Sequence, residues 1–172
     1  MKTLLILITL ILTLFQVGTR SLLADEKQIL PSFKGRDLGN RLVEVEKLLA
    51  KGPVLITFWA TWCAPCLREM EKIEVLYEKY REKGFSVIGI NQDVIKSRAE
   101  LRTFVKTRHI SFLIIMDRER KLGNLLHITA LPSTFLIGKD RHLYFFRTGY
   151  REGDEKILEK KIVEAFSDYS KK

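Results

Sequence analysis

Apolar positions along this chain form two kinds of pattern that alternate: short continuous runs, and longer stretches in which they recur at spacings of three and four. The run Val54–Trp59 is apolar or β-branched throughout and has the length of a buried central strand. After it, large apolar side chains recur at spacings of three and four, with glutamate and lysine between them, as far as Gly84. This spacing predicts a long amphipathic helix, and a glycine just beyond it is typical of a helix C-terminus.

The remainder of the chain continues this alternation of strands and helices. Further strands are predicted at 85–90, 112–116, 133–137 and 142–147, and further helices at 96–107, 118–127 and 154–166. The short turn at Lys139–Arg141 predicts that the last two strands pair antiparallel. Upstream, the glycines of 33–42 indicate a short hairpin, and 42–49 has the spacing of a helical turn. The pattern therefore predicts an α/β fold with a central mixed β-sheet flanked by helices.

The N-terminal segment has a different character. Lys2 precedes an almost unbroken apolar run over 4–17, which is short for a span of ~20 residues and long for a signal peptide. Residues 1–24 are therefore predicted to be either a signal peptide or an N-terminal membrane anchor. Both alternatives place the rest of the chain outside the cytoplasm. Residues 25–32 are then expected to be a connector, and 33–168 the folded domain.

The charge balance narrows the range of partners. The chain has 30 Lys and Arg against 21 Asp and Glu, a formal charge of +9, scattered over predicted helical faces. No basic block interleaved with aromatic residues suggests nucleic-acid binding, which is not expected. A basic surface suits an anionic membrane or acidic partner proteins, and it also promotes solubility. His109, His127 and His142 lack ligand-like spacing, so no resident metal is expected. The protein is expected to be a monomer.

The chemistry of the chain is expected at its two cysteines, Cys63 and Cys66. Two cysteines are too few for a disulfide framework or a structural zinc site. They stand where the predicted strand gives way to the long helix, and Pro65 suits the first turn of that helix. A thiolate at Cys63 would be favoured by the free N–H groups and the helix dipole. The placement predicts a redox pair, with Cys63 as the exposed nucleophile and Cys66 as the buried resolving thiol. A static disulfide or half of a metal site remains the alternative.

Two strings resemble one known family. Phe58–Cys66, with Glu69 three residues further on, resembles the active-site string of thioredoxin-like proteins of the TlpA, ResA and DsbE type. Leu131–Ile137 resembles the second marker of that family, and the resemblance covers roughly residues 30–166. It implies a thioredoxin fold with a short N-terminal hairpin and an inserted strand–helix between the two halves, within 84–130. No dissociable cofactor is implied.

The same resemblance implies a substrate groove beside the cysteines. Pro132 would follow a cis peptide bond and face the cysteine pair, and Leu131 would offer backbone groups to an extended partner segment. Trp62 and Pro65 would form the surface that partners touch next to Cys63.

The resemblance also bears on proton transfer. Thioredoxins proper carry a buried aspartate where this chain has Thr57. Asp93 is the nearest match to an acid that relatives place after the second strand, and it is a candidate to accept the proton of Cys66. Glu69 is expected to face water.

The function implied is an extracytoplasmic thiol–disulfide oxidoreductase that reduces protein disulfides, with apocytochrome c among its clients and a membrane electron donor. A disulfide oxidant or isomerase stays open, because local hydrogen bonds and dipoles set the potential. A thiol peroxidase is disfavoured, since Ala60 and Ile56 occupy the slots that need threonine and proline. A copper-binding assembly chaperone stays open because His127 lies shortly before Pro132, although the cysteine spacing is tight for it.

Overall fold

The protein is described here by a computed structural model covering residues 28–94 and 96–170. The prediction for residues 1–24 lies outside the described residues. The strands are β1 Lys34–Arg36, β2 Leu42–Glu44, β3 Val54–Trp59, β4 Ser86–Asn91, β5 Leu113–Met116, β6 Ser133–Ile137 and β7 Leu143–Thr148. The α-helices are α1 Val45–Leu49, α2 Ala64–Tyr80, α3 Arg98–Thr107, α4 Lys121–Leu125 and α5 Asp154–Ser170, with 3₁₀ turns at Arg81–Lys83 and Lys139–Arg141.

The predicted mixed sheet is confirmed. Five strands lie in the order β5-β4-β3-β6-β7, with β3, β4 and β5 parallel and with β6 antiparallel to both β3 and β7. The hairpin β1–β2 forms a separate small sheet, as predicted. Every residue of β3 is buried, because this central strand is covered on both faces.

Side-chain alternation along β3 divides the core into two layers. Leu55 and Trp59 point into the layer that they form with α2, α3 and α5. Ile56 and Phe58 point into the opposite layer, which α1 and the hairpin cover. The cysteines belong to the first layer, so the helices of that layer decide what surrounds them.

The long amphipathic helix is confirmed as α2. It ends in the 3₁₀ turn, and Gly84 closes it with a φ of 98°, a conformation that glycine adopts without steric cost. The expectation of a helix over 118–127 was too long. Arg120 has a φ of 54°, and the Asp117 carboxylate accepts hydrogen bonds from the N–H groups of Leu122 and Gly123 at 3.1 and 2.8 Å. Because the Asp117 carboxylate binds these first N–H groups, α4 begins only at Lys121.

The expected connector is in part packed on the domain. The Leu30 N–H donates to the Arg141 carbonyl at 3.1 Å, and the Leu143 N–H donates to the Gln28 carbonyl at 2.9 Å. Leu30 is itself buried. Residues 28–30 therefore pack against the start of β7. Within 28–94 and 96–170, no helix has the length and apolar character needed to cross a bilayer.

Candidate active site

Cys63 and Cys66 form a disulfide at the N-terminus of α2, with their Cα atoms 5.3 Å apart. Cys63 is the N-cap residue, with extended backbone, and its Sγ accepts a hydrogen bond from the Cys66 N–H at 3.3 Å. Pro65 lies in the first turn, as predicted. The sulfur of Cys63 therefore occupies the position where the orphan N–H groups and dipole of a 17-residue helix favour negative charge.

Burial of the two cysteines differs from the prediction in one respect. Cys66 is fully buried, as expected, but Cys63 is only 6% exposed, so the expectation of an exposed Cys63 was wrong for the disulfide form. The bond to Cys66 holds the Cys63 sulfur against the core layer that β3 forms with α2, α3 and α5. Trp62, directly before it, is 72% exposed and presents a large apolar surface beside the disulfide.

The second sequence marker meets the cysteines at the same edge of the sheet. The Leu131–Pro132 peptide bond is cis, as the resemblance implied. Ser133, the next residue, pairs with Phe58 near the carboxyl end of β3, which leads into the cysteine segment. Leu131 packs against the apolar cluster that contains Cys63 and Cys66. The structure thus brings together two segments that are more than sixty residues apart in the sequence.

Glu69 of α2 faces the sheet beside the cysteine layer, and the expectation that it faces water was wrong. Its side chain is 6% exposed. The Thr57 hydroxyl donates to Oε2 at 3.1 Å, and the Thr134 hydroxyl lies 2.9 and 3.0 Å from the two carboxyl oxygens. Thr57 and Thr134 are directly paired across β3 and β6. Buried hydroxyls are paired in folded proteins, and Glu69 is the polar partner of these two threonines, a pairing that has no signature in the sequence.

Burial changes the acidity of this carboxyl. Desolvation raises the pKa of Glu69 to about 7, and the hydrogen bonds from Thr134 and Thr57 oppose the rise without cancelling it. Glu69 stands three residues after Cys66, one turn further along the same face of α2. A carboxyl that titrates near neutrality at this place is able to take or give a proton during thiol chemistry.

Asp93 lies at the end of β4 and is also buried, with 3% exposure. Its carboxylate accepts hydrogen bonds from the Thr61 N–H at 3.1 Å, from the Thr61 hydroxyl at 3.1 Å and from the Asn91 side-chain amide at 2.8 Å. These bonds brace the segment between β3 and the cysteines. The role of Asp93 as a proton acceptor stays a prediction.

An open cleft of about 470 Å³ borders the cysteine segment on the side away from Pro132. It is lined by Thr61, Trp62, Asp93, Val94, Lys96 and Glu100. Among the described residues, no group of three or more His, Cys, Asp or Glu side chains is placed to hold a metal ion. His127 lies on the exposed surface. The copper-chaperone alternative therefore has no ligand set in this part of the chain.

These features define a class: a thioredoxin-fold protein with a Cys-x-x-Cys disulfide at the head of its first long helix and a cis-proline on the adjoining strand. The family model of the AhpC/TSA family matches residues 27–146, and the chain belongs to this family.

Curated relatives and solved structures agree with that class. The chain is 36% identical over 110 residues to the thiol-disulfide oxidoreductase ResA of Bacillus cereus, a match that covers 64% of this chain and 62% of the relative. It is 32% identical over 131 residues to ResA of Geobacillus kaustophilus, covering 75% of this chain and 74% of the relative. A candidate DsbE-type thiol:disulfide interchange protein of Chlorobium tepidum shares the fold, with a TM-score of 0.73, 24% identity and coverage of 81% of this chain and 96% of that one.

Proposed function

We propose that this protein is a thiol–disulfide oxidoreductase that acts through Cys63 and Cys66. The observation that carries the proposal is the disulfide itself. Its Cys63 sulfur caps the N-terminus of α2, where a thiolate is stabilised. The similarity to the thiol-disulfide oxidoreductase ResA of two bacteria supports the same chemistry. The static-disulfide alternative offers no reason for the bond to stand at a helix N-terminus beside an exposed tryptophan.

The proposed exchange has two steps. The Cys63 thiolate attacks one sulfur of a client disulfide, forming a mixed disulfide and releasing the second client sulfur as a thiolate. The Cys66 thiolate then attacks the Cys63 sulfur, which closes the Cys63–Cys66 disulfide and releases the first client sulfur as a thiolate. Two electrons pass to the client, and the oxidised pair seen in the structure is the product.

Glu69 is proposed to serve the second step. Cys66 is fully buried, so its thiol needs a nearby acceptor before its sulfur becomes a nucleophile. In its charged form, Glu69 takes that proton and becomes the neutral acid that its surroundings favour. Asp93 is the other candidate acceptor; it lies beyond β4, and Thr61 and Asn91 donate hydrogen bonds to its carboxylate.

The client is proposed to lie across Trp62 and Pro65 on one side and Leu131 and Pro132 on the other. Trp62 supplies the exposed apolar surface next to the reacting sulfur. The backbone of Leu131 precedes β6 and is free to pair with an extended client segment in the manner of an added strand.

Replacing Trp62 with alanine is expected to weaken client binding without changing the chemistry of the cysteines. Loss of a large exposed aromatic contact should raise KM for a protein disulfide about five- to tenfold, with kcat nearly unchanged. Steady-state reduction of a disulfide-containing protein measures both constants. Val75→Ala is the matched control, because Val75 is 65% exposed on α2 but three turns from the cysteines. Equal KM values for the two variants would remove Trp62 from the client surface.

We also propose the cellular setting. The apolar run over 4–17 supports action outside the cytoplasm, with residues 1–24 as a signal peptide or membrane anchor. By resemblance to the TlpA, ResA and DsbE type, the protein works as a membrane-associated monomer. It reduces the disulfides of clients that include apocytochrome c, and it receives electrons from a membrane donor. An oxidant or isomerase is the alternative direction of the same chemistry.

The reduction potential of the Cys63–Cys66 pair tests this proposal. The domain is equilibrated with dithiothreitol or glutathione mixtures of known ratio, and the oxidised fraction is counted by mass spectrometry after alkylation. Such pairs span about −270 to −120 mV, from reductants to oxidants. A value near the lower end supports an extracytoplasmic reductant, and a value near the upper end assigns the protein as a disulfide donor. A pair that shows no reversible two-electron couple would refute the oxidoreductase.

A further inference from the structure

The site of Glu69 continues sideways along the sheet. Thr57 of β3 pairs with Thr134 of β6, and Thr134 pairs in turn with Arg147 of β7. Directly paired residues point to the same face of a sheet. The two threonines that bind Glu69 and the arginine therefore form one row beneath α2, with the arginine at the outer end.

Arg147 is not alone at that end. Its guanidinium forms an ion pair with the carboxylate of Asp154, the first residue of α5. Asp154 also accepts a hydrogen bond from the Arg151 N–H at 2.8 Å, which fixes its position. The side chains are partly covered, with 32% and 14% exposure, so water screens the pair less than a surface ion pair. A narrow cleft between α2, β7 and α5 is lined by both residues and by Glu69.

We propose that Arg147 and Asp154 adjust the charge of Glu69 in opposite directions, and through it the pH at which the cysteine pair reacts. This inference rests on the proposed role of Glu69 in thiol exchange. Arg147 and Asp154 are positioning residues in this proposal, because they act through Glu69 and contact neither cysteine.

The two members of the pair act on Glu69 in opposite directions. The positive charge of Arg147 favours the carboxylate and lowers the pKa of Glu69, whereas the negative charge of Asp154 raises it. Both influences are smaller than that of desolvation, which is the main reason that the pKa of Glu69 is raised. The other charged or titratable groups that line the same cleft are Lys72 of α2, Tyr150 of the loop after β7 and Glu155 of α5. Tyr150 donates to Glu155 at 3.2 Å and its pKa is raised to about 12, so it stays neutral at the pH values of interest.

Removing the charge of Arg147 and removing the charge of Asp154 are therefore expected to shift the titration of Glu69 in opposite directions. Arg147→Gln leaves the Asp154 charge uncompensated, and the titration midpoint of Glu69 should rise by about one pH unit. Asp154→Asn leaves the Arg147 charge uncompensated, and the midpoint should fall by about one pH unit. The midpoint of the double variant should lie between those of the two single variants, and Arg147→Lys, which keeps the charge, should stay near the wild-type midpoint. Asparagine can still accept the Arg151 hydrogen bond, so Asp154→Asn preserves the start of α5.

The test has two readouts in the same set of proteins. Carbon-13 NMR of labelled glutamate carboxyls in the oxidised protein follows Glu69 directly, with Glu69→Gln identifying its signal. The pH profile of disulfide reduction, measured on the reduced protein, follows its consequence. The proposal is supported if the Glu69 midpoint and the pH profile of disulfide reduction both shift to higher pH in Arg147→Gln and both shift to lower pH in Asp154→Asn. A Glu69 signal that titrates at the same pH in all variants overturns it. A signal that moves while the profile stays fixed shows that the pair controls Glu69 but that Glu69 has no part in exchange, which counts against the proposed function instead.

Discussion

Cys63→Ser is expected to lose thiol–disulfide exchange entirely, whereas Cys66→Ser should keep the first step and stop after it. Serine at 63 removes the sulfur that attacks the client, and the buried Cys66 has no access to a protein disulfide in its place. Serine at 66 leaves Cys63 capping α2 with its stabilised sulfur, but nothing then attacks the mixed disulfide. The two variants should thus fail at different steps of the exchange.

The distinction is visible without a natural client. A model protein disulfide is added to each reduced variant, and products are separated on non-reducing gels and identified by mass. Cys66→Ser should accumulate a covalent adduct through Cys63, Cys63→Ser should give none, and the wild type should turn over. Cys63 in the Cys66→Ser variant should also alkylate faster at pH 7 than a free cysteine, because the helix N-terminus increases its thiolate fraction. An adduct on Cys66 instead would reverse the assignment of nucleophile and resolving thiol.

Glu69→Gln is expected to change how stability depends on pH. In the folded protein the pKa of Glu69 is about 7, against 4.5 for an unperturbed glutamate, so the folded state holds this proton more tightly than the unfolded state does. Its contribution is therefore most favourable below pH 4.5 and declines as pH rises to about 7, above which it is constant. At about 1.4 kcal/mol per pKa unit, the decline amounts to about 3 kcal/mol, and glutamine removes it.

Urea unfolding of the oxidised protein at pH 4.5 and pH 8 measures this effect. The difference in unfolding free energy between Glu69→Gln and the wild type should move by about 3 kcal/mol in favour of the variant from the lower to the higher pH. Glu71→Gln, an exposed glutamate on the same helix, is the matched control and should follow the wild-type curve. Parallel curves for Glu69→Gln and the wild type would mean that folding does not raise the pKa of this carboxyl.

Local pattern was sufficient for most of the architecture. The continuous apolar run of β3 gives way to apolar positions spaced about 3.6 residues apart in α2, and the cysteines stand at that change. Both the long helix and the place of the redox pair therefore followed from the sequence. Short elements were less predictable. Helix α4 begins late because the Asp117 carboxylate holds its first N–H groups, a contact that has no signature in the apolar pattern. The packing of residues 28–30 depends on the position of β7, which lies more than a hundred residues away.

The place of the cysteine pair follows from the chain alone: two cysteines three positions apart, a proline between them, and a helix that begins there. These features depend on neighbours in the chain. Tertiary structure alone decided the surroundings of that pair. Glu69 stands among glutamates and lysines, and only the pairing of Thr57 with Thr134 beneath it shows that it is buried. A helix position is solvent-facing or interior according to what packs against it, and here those partners come from strands far away in the sequence.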